Sequence, residues 1–281
     1  MEKRKKEGTR ININLIGEVV LGENEAEERI QKYLKALENP NIDYISIKIS
    51  TIYSQINSMD FEGTVAILVK KLTRIYEQAK KYPYIAPDGT KINKFINLDM
   101  EEYKDLAITV EVFKRTLSLA QFKDFYAGIV LQAYIPDSFL VQKDLCQWAK
   151  QRVSEGGSPI KFRLVKGANM EMEETEASQK HWDMVTYTNK SHTDANYKRM
   201  VKFALDKDNA PYMHVGTASH NLFELAFATV LAEHNATTKF HTLEMLEGMS
   251  ESARLAINEI SKDVILYAPT AAKEQFTNAI A

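Results

Sequence analysis

The chain has 281 residues, 44% hydrophobic and 26% charged, a length that suits one large domain or two small ones. Its 36 Lys and Arg against 38 Asp and Glu leave a net charge of −2, which argues against a polyanion-binding surface as the main function, so no nucleic-acid partner is expected. The single cysteine, Cys146, excludes an internal disulfide and fits a reducing compartment, and no run approaches the ~18 apolar residues of a membrane span, leaving peripheral membrane contact open.

Lys3–Lys6 opens the chain as a basic cluster bracketed by Glu2 and Glu7. No apolar h-region follows, so it reads as a solvated helix face rather than a targeting signal. Short strand-like runs then alternate with amphipathic stretches. Ile11–Ile16 precedes Glu25–Leu37, whose Ile30, Leu34 and Leu37 share a helical face. Tyr44–Ile49 precedes Val65–Ala79, with Ile67, Leu68, Leu72, Ile75 and Ala79 apolar. Phe95–Leu98 precedes Leu106–Leu119, Gly128–Tyr134 precedes Phe139–Val153, and Ile160–Val165 precedes the acidic, helix-prone Met170–Gln179. The span Lys166–Ala210 is oversized and predicts two helices split near Tyr187–Thr193. Tyr212–Val215 precedes Leu222–Leu231, for which Asn221 is the N-cap, and Phe240–Leu243 precedes Arg254–Ile260, for which Ser250 is a candidate cap. Val264–Tyr267 is the last run. Trp148 and Trp182 fall in helical stretches and read as packing residues.

Eight strand–helix repeats in this length predict an α/β fold of the (β/α)8 TIM-like barrel type, as one domain over residues 1–281. A doubly wound open sheet is the alternative. The chain lacks a G-x-G-x-x-G turn and a Walker sequence, and Gly156-Gly157 is a loop before a strand rather than a phosphate cradle.

In such a barrel the chemistry sits at the C-terminal strand ends. The most telling end is Arg163-Leu-Val-Lys166-Gly167-Ala168, with two cations and a glycine just ahead of a helix. Cations at a strand mouth face the ligand crevice, and a helix start offers N–H groups to an anion, so the segment suggests a phosphate-bearing cofactor. A surface ion pair at a strand end is the plainer reading. Lys48 lies inside an apolar run and needs a carboxylate partner, for which Asp99 on the next strand is the natural candidate. A barrel-interior pair without a catalytic role is the alternative. Gln132, Tyr134, Glu101, Ser219, His220, Asn221, Glu244 and Tyr267 complete the strand ends. The six histidines show no H-x-x-H or H-E-x-x-H spacing and no paired cysteines, so no zinc site is expected.

The segments around Tyr44–Ser50, Asn97–Glu101, Val130–Tyr134, Arg163–Ala168, Ser219–Asn221 and Leu246–Met249 occur in the order seen in proline dehydrogenases. From about Asn14 to Tyr267 the chain resembles that family, most closely the proline dehydrogenase domain of the bacterial bifunctional proline utilization A enzymes. The resemblance implies a distorted (β/α)8 barrel with noncovalent FAD. It implies oxidation of L-proline to pyrroline-5-carboxylate, with electrons passed to a quinone. It further implies a cytoplasmic protein, with peripheral contact at the inner membrane face left open, and an aldehyde dehydrogenase domain or partner elsewhere. By the same resemblance Lys48, Asp99 and Arg163 are catalytic. Met100, Val130, Gln132, Arg163, Lys166, Gly167, Ala168, Ser219, His220 and Asn221 contact the cofactor, and Lys48, Leu246 and Tyr267 meet the substrate. Cations and N–H donors near a flavin would stabilise the charge gained on reduction, consistent with this transfer.

Two features depart from the family. Its members bind the proline carboxylate through an arginine pair on the last helix, whereas no arginine follows Arg254 here. The last helix is therefore expected to be incomplete, and the chain as written to oxidise proline poorly or not at all. Asn169-Met170 stands where some members place an aromatic against the flavin. Two rival readings remain at this point: a Schiff-base aldolase using Lys166 or Lys48, and a non-catalytic barrel fragment.

Overall fold

The computed structural model describes Arg4 and residues 7–16, 20–86, 88–261 and 263–270. β1 (Arg10–Leu15) leads to α1 (Glu23–Glu38), β2 (Tyr44–Lys48) to α2 (Phe61–Lys81), β3 (Phe95–Asp99) to α3 (Leu106–Leu117), and β4 (Gly128–Gln132) to α4 (Ser138–Ser154). β5 (Ile160–Val165) is followed by two helices, α5 (Met170–Lys180) and α6 (Lys190–Ala204). β6 (Met213–Ala218), α7 (Leu222–His234), β7 (His241–Leu246), α8 (Glu251–Ile260) and β8 (Val264–Thr270) complete the order. Each strand pairs in parallel with the next and β8 returns to β1, so the expected eight-stranded α/β barrel is closed. The last helix expected past β8 falls on residues 271–281, which lie outside the described residues.

Period-2 alternation sorts each strand into two rows. The outward rows are apolar. Ile45, Ile47, Ile96, Leu98, Ile129, Leu131, Phe162 and Leu164 share one buried cluster with helix residues such as Leu37, Leu72, Phe113, Leu145 and Met200. A smaller cluster joins Leu225, Leu243, Met245, Ile257, Val264 and Leu266 between α7, α8 and the last two strands. The inward rows are unusually polar for a barrel that side chains must fill. Asn12 Nδ2 donates to Ser46 Oγ at 2.9 Å, and Arg163 reaches the same hydroxyl at 3.5 Å. Arg152 on α4 ties the outer layer together, donating to the carbonyls of Leu117, Phe122, Lys123, Phe125 and Ser158.

Several boundaries differ from the sequence reading. β2 ends at Lys48, because the chain turns at Ile49–Thr51, where Thr51 Oγ1 bonds the Lys48 carbonyl at 2.8 Å. β6, β7 and β8 run on to Ala218, Leu246 and Thr270. Polar residues such as Thr217 on the outward row of β6 and Glu244 on the inward row of β7 interrupt the apolar pattern that marked the strands. An antiparallel ribbon of Tyr84–Ile85 with Lys91–Ile92, too short to show periodicity, was not foreseen. Asn221 caps α7 by accepting from Phe223 N at 3.0 Å, whereas Ser250 precedes α8 in a left-handed conformation without a side-chain cap bond. Trp182 lies past the end of α5 and is exposed, with Lys180 over its ring. Arg4 is not simply solvated. It pairs with Glu7, Glu247 and Glu251, while Lys3, Lys5 and Lys6 lie outside the described residues.

His214, paired with Tyr126 at 2.8 Å, and His241, paired with Thr217 at 2.7 Å, titrate near pH 4, depressed by burial and secondarily by Lys161. Both are neutral in the fold but bind protons in the unfolded chain below about pH 6.5. Stability from this source is present above that pH and is lost as the pH falls toward about 4. Urea titrations at several pH values should show this loss, and His214→Gln with His241→Gln should flatten it. An unchanged slope in the double variant would refute the assignment.

Candidate functional site at the barrel mouth

A cavity of about 510 Å³ opens at the C-terminal ends of the strands. All the site residues expected from the sequence line it except Asn221, whose Oδ1 caps α7. The first anchor is Asp99, which closes β3 and is only 6% exposed. It accepts from Arg163 Nη2 at 2.8 Å, Asn97 Nδ2 at 2.9 Å and Tyr267 Oη at 2.8 Å. The Arg163 guanidinium also lies over the Tyr267 ring, 4.5 Å from its centroid. Burial works against the guanidinium, but Asp99, Glu244, Tyr44 and Tyr267 together outweigh it and the Arg163 pKa is raised. Burial and Asp99 push the Tyr267 phenol up, so it remains a donor.

The expected Lys48–Asp99 pair is not what forms. Lys48 pairs with Glu101, and Ser50 Oγ donates to the other oxygen of that carboxylate at 3.3 Å. Lys48 and Asp99 are register neighbours across β2 and β3, which is why the sequence suggested the pair. The buried guanidinium takes Asp99 through a directional hydrogen bond, while the long lysine stem carries its ammonium outward to the strand end. Glu101 is well placed to receive it. Its carbonyl is bonded by Gln132 Nε2 at 3.2 Å and Asn169 Nδ2 at 3.1 Å, and Gln132 also reaches the Met100 carbonyl.

The Lys166–Ala168 segment forms the opposite wall. Ala133 N bonds the Val165 carbonyl at 2.8 Å and Tyr134 N the Lys166 carbonyl at 2.7 Å, so β4 and β5 stay laced past their ends. Gly167 then turns with φ +135°, and a Cβ there would sit 2.4 Å from the Tyr134 ring, so only glycine fits. Lys166 pairs with Asp194 on α6 and with Glu224 on α7 at 3.3 Å. Burial lowers its pKa, but these two acids outweigh burial and the net shift is upward. A Schiff-base nucleophile needs the opposite shift, so the aldolase reading of Lys166 loses its support.

Three residues lining the cavity carry a buried polar atom with no hydrogen-bond partner: Gln132 Oε1, His220 Nδ1 and Glu244 Oε2. His220 Nε2 accepts from Leu246 N at 3.1 Å, which assigns the ring proton to Nδ1. Burial lowers the His220 pKa and favours that neutral form. The wall therefore offers one donor and two acceptors to an occupant. Sequence reasoning named Glu101 and Glu244 only as strand-end residues, and it missed Asp194 and Glu224. A glutamate in the first turn of α7 looks like any acid at a helix start.

Comparison with known proteins is consistent with this geometry. The family described as proline dehydrogenase matches residues 1–278. The chain belongs to the proline dehydrogenase family. Among solved structures, proline utilization A from Corynebacterium freiburgense is 40% identical with a TM-score of 0.93, over 99% of this chain and 28% of that one. Proline utilization A from Bdellovibrio bacteriovorus, inactivated by N-propargylglycine, is 30% identical with a TM-score of 0.86, over 96% of this chain and 29% of that one. A Bradyrhizobium japonicum proline utilization A mutant, 21% identical with a TM-score of 0.79 over 96% of this chain and 28% of that one, shares the fold. The proline dehydrogenase-family chain thus spans less than a third of the length of these relatives. No curated protein matches it. Among the described residues no helix is long and apolar enough to cross a membrane, and no three His, Cys, Asp or Glu side chains are grouped to hold a metal.

Removing Asp99 would strand a buried guanidinium. Asp99→Ala is expected to cost about 3–5 kcal/mol in urea unfolding. Replacing Arg163 by Met in the same chain should recover part of that loss. A cost below about 1 kcal/mol, as for an exposed pair, would contradict the role given to Asp99.

Proposed function

We propose that this chain oxidises L-proline to 1-pyrroline-5-carboxylate with FAD held in the cavity, and that electrons then pass to a quinone. The observation that carries the reading is an unmatched buried donor, His220 Nδ1, together with two unmatched buried acceptors, Gln132 Oε1 and Glu244 Oε2, on residues that line one cavity. A heteroaromatic ring bearing both carbonyl and N–H groups fits that wall, and Met100, Val130, Val165 and Leu246 supply the apolar surface that a flat ring needs. Bound FAD supplies the acceptor for the hydride that leaves the proline ring, while the nitrogen gives up a proton.

The chain's own residues then have distinct tasks. Arg163, fixed by Asp99, presents a permanent cation to the cavity, and Lys166 with the Gly167–Ala168 backbone holds the cofactor. Leu246 and Tyr267 wall the substrate, and Lys48, held by Glu101, adjusts the charge beside it. Asp99 acts as a positioning residue for Arg163 and Tyr267. Ser219 joins the cofactor wall next to His220. In this reading the reaction takes place on the cytoplasmic side, with peripheral contact at the inner membrane face giving access to a lipid-soluble quinone. An aldehyde dehydrogenase domain or partner outside this chain then takes up the product.

The chain purified with excess FAD should show flavin absorbance that proline bleaches. Lys166→Ala should weaken retention of FAD tenfold or more, in keeping with the ~1.5–3 kcal/mol of a charge-assisted hydrogen bond. A chain that takes up no FAD and gains no thermal stability from it would refute the reading. Flavin uptake without bleaching would refute proline as the substrate of this chain and favour the non-catalytic barrel.

A further inference from the structure

We infer that Lys161 and Glu244 form a compensated charge pair in the barrel interior that sets the reduction potential of the cofactor in the cavity. The inference rests on the flavin reading above. Lys161 precedes Arg163 by two residues on β5, so it points inward one layer further from the mouth, and Glu244 faces it from β7. Their side chains are 4% and 1% exposed and 2.6 Å apart. Gly216 on β6 makes room for them, since a Cβ there would lie 2.1 Å from Glu244 Oε1 and 3.0 Å from Lys161 Cε.

The pair has a direction. Glu244 lines the 510 Å³ cavity and leaves Oε2 open there. Lys161 lines a separate cavity of about 190 Å³ toward the other end of the barrel, walled by Tyr44, Phe95, Tyr126 and His214. Buried pairs are not a general source of stability, and apolar side chains would fill this layer equally well. What an apolar layer cannot supply is a carboxylate turned toward the cofactor with its counter-charge held behind it. In a low-dielectric interior such charges act over several ångströms. Reduction adds negative charge to the flavin, so Glu244 opposes it and Lys161 relieves that opposition.

The test is a dye-equilibrated redox titration of the flavin-loaded chain. Glu244→Gln should raise the midpoint potential and Lys161→Met should lower it. The double variant should fall closer to the parent than either single change. If Lys161→Met does not fold, Lys161→Arg keeps the charge and should hold the parent potential while Glu244→Gln still shifts it upward. Shifts of the same sign in both single variants, or a Glu244→Gln potential at or below the parent's, would overturn the proposal while leaving the cofactor reading intact. A parent chain that takes up no flavin would overturn both.

Discussion

Arg163 places a permanent charge inside a closed sheet, and the barrel mouth is arranged around keeping it there. A guanidinium cannot shed its proton in a protein, so the interior must supply a carboxylate and further acceptors or the fold cannot bear it. Asp99 is that carboxylate, and Asn97 and Tyr267 complete its shell from β3 and β8. Ser46 from β2 meets the guanidinium on another side, and the Tyr267 ring lies beneath it. Residues from β2, β3, β5 and β8 thus converge on one cation. Because its carboxylate, hydroxyl and ring contacts come from separate strands, closure of the barrel is what fixes the cation's position.

That commitment explains why Lys48 and Lys166 look outward for partners. Asp99 already accepts from three donors, so the Lys48 ammonium continues past it to Glu101 on the stretch that follows β3. Lys166, beyond the end of β5, finds its acids on α6 and α7. These two lysines therefore tie loops and helices to the mouth, whereas Arg163 and Lys161 are held within the sheet. The order follows side-chain chemistry: the rigid fork sits where hydrogen-bond geometry is fixed, and the flexible ammonium sits where reach is needed.

Much of the barrel was legible because apolar strands alternating with amphipathic helices leave a strong pattern. The pattern faded where inward rows are polar, which is why β6, β7 and β8 extend past their apolar runs. Asn221 was legible as a cap because a helix start calls for an acceptor two residues ahead of an unpaired N–H. Register placed Lys48 beside Asp99, but the number of donors competing for that carboxylate cannot be read from residue spacing. Arg152, bonded to five backbone carbonyls, left no trace in the sequence at all, because main-chain acceptors are the same at every position.

The three Lys and Arg side chains that line the cavity each reach it with a carboxylate in hand, Lys48 with Glu101, Arg163 with Asp99, and Lys166 with Asp194 and Glu224, and Lys161 behind them is paired with Glu244. The mouth is therefore not a positive funnel that attracts ligands by net charge. What it offers is direction. Each cation is immobilised before anything binds, so little ordering is needed when a ligand arrives, and a fixed dipole in a dry site acts more strongly than the same groups in water. Glu244 lines the cavity and, like Glu224, has one buried carboxylate oxygen without a partner. Of these carboxylates it is the least exposed, held by a cation that lines a separate cavity, and it is the one whose field falls on an occupant with the least competition from solvent.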